Sequence, residues 1–186
     1  MTVTTNVSAP AAVFTDETLG KAAGLAAAAY QPVWIGQSGE QVSGEAVARH
    51  LEAATVLLDK DGWVRTYDYS KTWGTSATLA ADESMTVKDM VRALLAFVRE
   101  ESGDTEPHRT LLTALRHVGE GAHGDSDTAT IASVVLDLVV RAHTGCDTAR
   151  ATVWSERLHR THADITALLM AGARFARAYG PAGHGA

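Results

Sequence analysis

Apolar residues recur three or four positions apart along most of the chain, which is the pattern of amphipathic α-helices. The pattern predicts six helices, over residues 16–30, 43–58, 87–98, 107–118, 126–144 and 162–178. Apolar stripes of this kind are buried by packing helix against helix. The predicted fold class is therefore mostly α, a compact helical bundle of about six helices.

Residues at the ends of these stripes are typical helix caps. The predicted N-caps are Thr15, Thr86, Asp125 or Ser126, and Thr161. Acidic residues stand three positions after Thr86 and Thr161, which completes two capping boxes. Pro107 suits a first helical position, and Gly119 and Gly145 suit helix ends.

One segment alternates with the period of a strand instead. Residues 63–69, WVRTYDY, place large side chains at every second position, which is typical of a β-strand. Pro32 ends the first helix, and the short apolar run 33–36 follows it. Residues 33–36 and 63–69 together predict a small β-hairpin at one end of the bundle.

Length and composition fit a single domain. The chain has 186 residues, of which 46% are hydrophobic and 20% charged, enough to bury a core. Residues 1–14 show no helical period and are predicted to form a flexible N-terminal arm. We expect one α-helical domain over 15–180 and a flexible tail over 181–186.

The charge distribution disfavours nucleic acid as a partner. The net charge is −6, and residues 1–106 hold eight Lys and Arg against fifteen Asp and Glu. Residues 107–186 hold eight basic residues, all arginine, against seven acids. Proteins that bind duplex DNA normally present a basic face. Such a face would have to gather Arg150, Arg157, Arg160, Arg174 and Arg177, and we do not expect it.

Other features point to the cytoplasm. Cys146 is the only cysteine, so no internal disulfide requires an oxidising compartment. The N-terminus lacks the basic segment of a signal peptide. The most apolar run, AAGLAAAAYQPVWIG, is short and broken by Pro32, so it cannot span a membrane. We expect a cytoplasmic protein without membrane contact.

Histidines near the last helix raise the hypothesis of a metal site. His159 and His162 are three positions apart, a spacing that shares one face of a helix and can bind one metal. The predicted cap at Thr161, however, places His159 before the helix. His143 and Cys146 flank another helix end and are the remaining candidate ligands. The ordinary interpretation is that His143 interacts with the negative end of its helix and Cys146 packs in the core.

Catalytic signatures are absent from the sequence. It has no G-x-S-x-G motif, and a lone cysteine matches no nucleophile signature. The glycine-rich stretch GEGAHGD, 119–125, follows a helix and lacks the Gly-Lys-Ser/Thr of a phosphate loop. We therefore predict no catalytic residue and no cofactor.

All four tryptophans, Trp34, Trp63, Trp73 and Trp154, fall outside the predicted helices. Tryptophan buries a large area and needs an acceptor for its indole N–H, so the ordinary interpretation is that these rings cover the end of the core. For Trp154 we favour that interpretation. The alternative is a docking surface, because Trp, Tyr and Arg dominate interface hot spots. The interaction candidates are Trp63, Trp73, Trp154, Arg157 and Arg160.

Two stretches resemble a family of small uncharacterised actinobacterial (Streptomyces-type) domains. They are HLEAATVLLDKDGW at 50–63 and VWSERLHRTHADITALLMAGARFA at 153–176. The family opens with an amphipathic helix ending in Gly-Trp and closes with a Trp-containing loop, an Arg-Thr pair and an Asp in the final helix. The matching positions here are Gly62, Trp63, Trp154, Arg160, Thr161 and Asp164.

The resemblance covers about residues 45–178 and differs in the middle. TWGTSATLAADES, 72–84, stands where the family often carries a Gly-Arg-x-Cys and a Gly-Ala-Leu stretch. The family has no established activity, so the resemblance implies domain limits and a bacterial source only.

The function that fits these observations best is protein–protein contact or homo-oligomerisation by a small non-enzymatic helical protein. The alternative is a metal-binding protein or small enzyme with a His/Cys site near the start of the last helix. In the first of these two functions, the partner would be a second copy of the chain or another protein.

Overall fold

Helices account for the fold, as the apolar periodicity predicts. A computed structural model of the chain describes residues 12–66, 86–88, 91, 108–122 and 124–183. Within these residues lie six helices, α1 (Asp16–Ala27), α2 (Gly44–Asp61), α3 (Leu111–Glu120), α4 (Ser126–Thr144), α5 (Ala151–Ser155) and α6 (His162–Tyr179). The predicted mostly α bundle is confirmed. The predicted helix over 87–98, with its cap at Thr86, falls almost entirely outside the described residues, as does Pro107.

The central pair of the bundle consists of α2 and α6, which run antiparallel. At the start of α2, Gly44 N–H donates to Pro181 O at 2.9 Å, just beyond the end of α6. At the other end of the pair, Asp59 Oδ1 lies 3.3 Å from His162 Nε2. A Cβ at Gly44 would collide with the carbonyl oxygen of Ala176. The two backbones therefore approach closely because position 44 has no side chain.

The longest helix, α4, is buried on most of its surface. It contacts α1, α2, α3 and α6, and residues 135–140 are all buried. A helix surrounded in this way is expected to be apolar on most of its faces. Its buried acid, Asp137, accepts hydrogen bonds from Arg150 Nη1 at 2.7 Å and from Ala151 N at 2.8 Å. That carboxylate attaches the start of α5 to α4.

Most of the predicted caps within the described residues are confirmed. Thr15 accepts a hydrogen bond from the backbone of α1, and Asp125 accepts two from α4. Thr161 and Asp164 form the predicted capping box of α6. Gly145 follows α4 with φ +68°, a left-handed conformation that favours glycine. These ends are encoded within three residues of each helix terminus, which is why the sequence indicates them.

Two helices differ from the prediction. α3 begins at Leu111, where Thr110 and Thr113 form a capping box, and it continues through Gly119 to Glu120. The predicted helix end at Gly119 is therefore wrong. α5 has five residues, too few for a periodic stripe, so the sequence pattern did not predict it.

The predicted hairpin between 33–36 and 63–69 is not formed by the described residues. Ile35 forms an antiparallel bridge with Gln41, within a local turn, and Trp63 forms a parallel bridge with Arg109. Each segment thus pairs with a backbone other than the predicted one. The partner of Ile35 is close in the sequence, and the partner of Trp63 is 46 positions away. Residues 67–69 lie outside the described part of the chain.

Packed structure extends beyond both predicted domain limits. Ala12 N–H donates to Asp164 Oδ1 at 2.6 Å, and Phe14 is only 6% exposed, although both residues were assigned to the arm. Pro181, assigned to the tail, accepts the hydrogen bond from Gly44. None of the helices in the described ranges is both long and apolar enough to cross a lipid bilayer.

Candidate functional site

The segment that follows α2 is held in a fixed direction by residues before α3. Arg109 N–H donates to Gly62 O and Val64 N–H donates to Arg109 O, each at 3.0 Å. Arg109 Nε donates to Asp61 Oδ2 at 2.5 Å, and Asp61 is 7% exposed. A pair this buried is screened less by salt than a surface pair. The backbone around Trp63 is therefore anchored on both sides.

Arg65 joins this segment to the turn between α5 and α6. Its Nη2 donates to Leu158 O at 2.7 Å and lies 3.5 Å from Arg160 O. Carbonyls in a turn have no partner within a helix, and a guanidinium group can satisfy several of them. We name the resulting junction the α5–α6 corner. It comprises Trp63, Arg65, Trp154, Arg160 and His162.

Trp154 is the buried centre of this corner. It lies on α5 and is 1% exposed, which confirms the interpretation that it packs on the core. Its ring centroid lies 5.9 Å from that of Phe14 and 6.4 Å from that of His143. The guanidinium carbon of Arg160 lies 3.8 Å from the ring centroid, a cation–π contact. A ring this buried leaves no surface for a partner, so its role as a direct interface contact is wrong.

Asp164 fastens the corner to the N-terminal segment. Its carboxylate accepts hydrogen bonds from Thr161 N at 2.9 Å, Thr161 Oγ1 at 3.0 Å and Ala12 N at 2.6 Å. Burial raises the pKa of Asp164, but these hydrogen bonds and the charge of Arg160 outweigh burial, so the pKa lies below its ordinary value. Asp164 is therefore an anion whose oxygens are already occupied.

His143 is packed against aromatic rings instead of serving as a helix-end cation. Its ring centroid lies 4.6 Å from that of Phe14. Burial lowers the pKa of His143, and the positive charge of Arg160 lowers it further. The expected favourable interaction of a protonated His143 with the negative end of α4 is therefore not supported. The charge of Arg160 therefore acts on His143 as well as on Asp164.

Five buried side-chain nitrogens in the described residues donate to no protein acceptor. They are Trp63 Nε1, Arg65 Nε, Trp154 Nε1, Arg160 Nε and His162 Nε2. They lie in two segments, 63–65 and 154–162, that the hydrogen bonds from Arg65 to Leu158 O and Arg160 O join. His162 Nε2 lies 3.3 Å from Asp59 Oδ1 but lacks the alignment of a hydrogen bond. Because buried polar groups are nearly always hydrogen-bonded, this concentration in one place requires an explanation.

The four candidate metal ligands are not brought together. His143 contacts Phe14 and Trp154, whereas His162 faces Asp59 on α2. Cys146 is exposed, which corrects the expectation of a core thiol, and the hydrogen bond with the Thr148 hydroxyl lowers its pKa. His159 is exposed as well. Among the described residues, no three His, Cys, Asp or Glu side chains are grouped closely enough to hold a metal ion.

The arginines proposed for a basic face point to different parts of the molecule. Arg150 pairs with a carboxylate of α4, Arg174 with one at the start of α1, and Arg177 with two on α2. Arg157 and Arg160 form no ion pair within the described ranges. The requirement for one shared basic face is therefore not met.

The other tryptophans have separate environments. Trp63 is half-buried at the corner, and Trp34 stacks on Phe175 with ring centroids 6.2 Å apart. Trp73 lies outside the described residues.

Sequence reasoning did not identify Arg65 or Phe14 as parts of the site. Arg65 stands two positions after Trp63 in the segment predicted as a strand, where residues two apart share one face, and this period is a usable signal. Phe14 directly precedes the cap Thr15, a position where an apolar residue often packs on its helix.

A model of a family of unknown function (DUF6197) matches residues 42–175. The chain belongs to this family. The matched range contains every residue of the α5–α6 corner and excludes α1 and the segment 12–14. It agrees with the limits that the sequence resemblance implied. No curated protein and no solved structure matches the chain.

Proposed function

We propose that the protein is a non-enzymatic helical domain that acts through protein–protein contact, as a symmetric pair of identical chains. The contact surface is the outer side of the segment Val153–Leu158. The family itself has no assigned function, so the proposal rests on this surface.

The observation that carries the proposal is the exposure of two apolar side chains beside the buried Trp154. Val153 is 58% exposed and Leu158 is 85% exposed, whereas Trp154 is 1% exposed. The hydrogen bond from Arg65 to Leu158 O fixes the backbone of this turn. An apolar side chain presented from a fixed backbone loses little entropy on binding, which favours association.

The charges of the same segment favour a second copy of the chain as the partner. Glu156 and Arg157 are adjacent and exposed, and neither forms an ion pair with any described residue. A two-fold interface is self-complementary, so that residue i of one chain meets residue j of the other and the reverse. Glu156 of each chain can then face Arg157 of the partner subunit. The two resulting pairs flank a centre formed by Val153 and Leu158.

Light scattering coupled to size exclusion tests the pair directly. We expect the full chain to elute as a dimer and the Leu158→Asp variant as a monomer with unchanged helicity. Val56→Asp is the matched control, because Val56 is 68% exposed on α2, away from this turn. A wild-type chain that remains monomeric at every concentration, or a Leu158→Asp variant that remains dimeric, would contradict the proposal.

Charge reversal tests the two-fold arrangement. Glu156→Arg and Arg157→Glu should each weaken the dimer, because each single change brings like charges together. The double variant should restore most of the affinity. If both single variants dimerise as the wild type does, these charges do not lie in the interface.

We also propose that the protein acts in the cytoplasm. Cys146 is an exposed free thiol whose pKa is lowered. A reducing compartment keeps such a thiol from oxidation.

A further inference from the structure

The five unpartnered nitrogens of the α5–α6 corner share one chemical character. The indole N–H of Trp63 and Trp154 and the Nε–H of Arg65 and Arg160 can only donate hydrogen bonds. His162 Nε2 can donate in one tautomer and when protonated. The corner therefore has an excess of donors, and what would satisfy it is a group rich in acceptors.

The local charge favours an anion. Arg160 lies over Trp154, with its guanidinium carbon 3.8 Å from the ring centroid, and forms no ion pair with a described residue. The carboxylate of Asp164 interacts with the charge of Arg160 but accepts its hydrogen bonds from Thr161 and Ala12, not from Arg160. The charge of Arg160 lowers the pKa of His143, so it acts on its surroundings.

Access to solvent is compatible with a ligand at this place. Trp63, Arg65, Arg160 and His162 are each half-buried, so their outer atoms reach the surface although the named nitrogens do not. Arg65 uses Nη2 on the carbonyls of the α5–α6 turn, which orients the guanidinium and leaves Nε unused. Planar guanidinium groups bind carboxylate and phosphate oxygens in a bidentate manner.

We propose that the α5–α6 corner is a binding site for an oxyanion, a carboxylate or a phosphate group, held by Arg160 and Arg65 and by the indole N–H groups of Trp63 and Trp154. This site goes beyond the proposed dimer and does not depend on it. Asp59, beside His162, and the exposed Glu156 are the carboxylates that such an anion would have to avoid.

The indole N–H resonances in a ¹H–¹⁵N spectrum of the full chain report binding directly. The probes are inorganic phosphate and acetate, each compared with chloride at equal ionic strength. We expect the resonances of Trp63 and Trp154, assigned with the Trp63→Phe and Trp154→Phe variants, to shift saturably. The resonance of Trp34, which stacks on Phe175, should not shift. Saturation by phosphate alone would identify a phosphate site, and saturation by both probes a general oxyanion site.

Substitution of Arg160 tests the role of the guanidinium. Arg160→Met should weaken binding at least about tenfold, the loss expected for one charge-assisted hydrogen bond. Arg160→Lys keeps the charge without the planar fork and should weaken binding less. Arg116→Met is the matched control, because Arg116 is exposed and pairs with Glu120 on α3. If Arg160→Met does not fold, Arg65→Met and Arg160→Lys supply the same comparison.

Two results would overturn the proposal. One is the absence of any saturable indole shift with phosphate or acetate beyond that with chloride, which would mean that water satisfies the donors. The other is equal affinity in the wild type, Arg160→Lys and Arg65→Met. Repeating the titration with the Leu158→Asp variant separates this site from the dimer, because anion binding should persist when the dimer is lost.

Discussion

The central pair of helices, α2 and α6, ends in two different ways. Where α2 begins and α6 ends, Gly44 N–H bonds to Pro181 O, and Arg177 binds the carboxylates of Glu45 and Glu52. Where α2 ends and α6 begins, five buried donors have no protein acceptor. The same two helices thus form a closed end and an open end, and hydrogen-bonding capacity is unused at the open end. This difference indicates that the first end serves stability and the second retains groups for a ligand.

Backbone packing, and not the ion pairs, explains the stability of the closed end. Glu52 and Glu45 raise the pKa of Arg177 above its usual value, but the Arg177 side chain is 41% exposed. Exposed ion pairs contribute little to stability, because solvent screens them. The close approach at Gly44 involves atoms shielded from water, where even one added carbon must displace backbone.

The largest expected effect is that of Gly44→Ala. The added Cβ would collide with Ala176 O and the Gly180 backbone, so the two helices must separate, and we expect the free energy of unfolding to fall by about 3 kcal/mol. Arg177→Met should cost much less, because exposed ion pairs contribute little to stability. Urea unfolding followed by circular dichroism measures both.

Gly24→Ala is the control for the alanine itself. A Cβ at Gly24, inside α1, would meet nothing within 4 Å. We expect this variant to gain about 0.5–1 kcal/mol from helix propensity. A Gly44→Ala variant as stable as the wild type would show that the closed end is not closely packed.

A smaller effect is expected from Asp164→Asn at the open end. The change weakens the capping box and the bond to Ala12, and we expect a loss of about 1 kcal/mol at neutral pH. The pKa of Asp164 is lowered in the fold, so its carboxylate stabilises the fold above the unfolded pKa of about 4. That contribution disappears as the pH falls through the folded pKa.

The difference in unfolding free energy between the wild type and Asp164→Asn should therefore be greatest at neutral pH and shrink below about pH 4. Urea unfolding over a pH series measures it, and Asp16→Asn, at a residue whose side chain is 97% exposed, is the control. A difference that is constant across the series would mean that the ionised carboxylate is not what Asp164 contributes.

The two ends also differ in how far the sequence predicts them. The capping box of Thr161 and Asp164 is visible because its members are three positions apart. The hydrogen bond from Arg65 to Leu158 spans 93 positions, and the one from Ala12 to Asp164 spans 152. Local periodicity carries no information about contacts between residues that are so far apart in the sequence. The helices and their caps could therefore be predicted, whereas the site built from their ends could not.

An effect no larger than that of Asp164→Asn distinguishes an unused donor from a used one. Trp154→Phe removes the indole N–H and part of the ring from a side chain that is 1% exposed. An N–H group with no acceptor forms no hydrogen bond that the substitution could remove. In buffer without oxyanions, the loss in the free energy of unfolding should therefore come only from the lost ring volume and be about 1 kcal/mol. In saturating phosphate the wild type should gain stability by binding, and the variant should gain less. Thermal unfolding in chloride and in phosphate measures both gains. Equal gains would show that the Trp154 N–H does not contact the anion, and would leave Arg160 and Arg65 as the groups that distinguish the open end from the closed one.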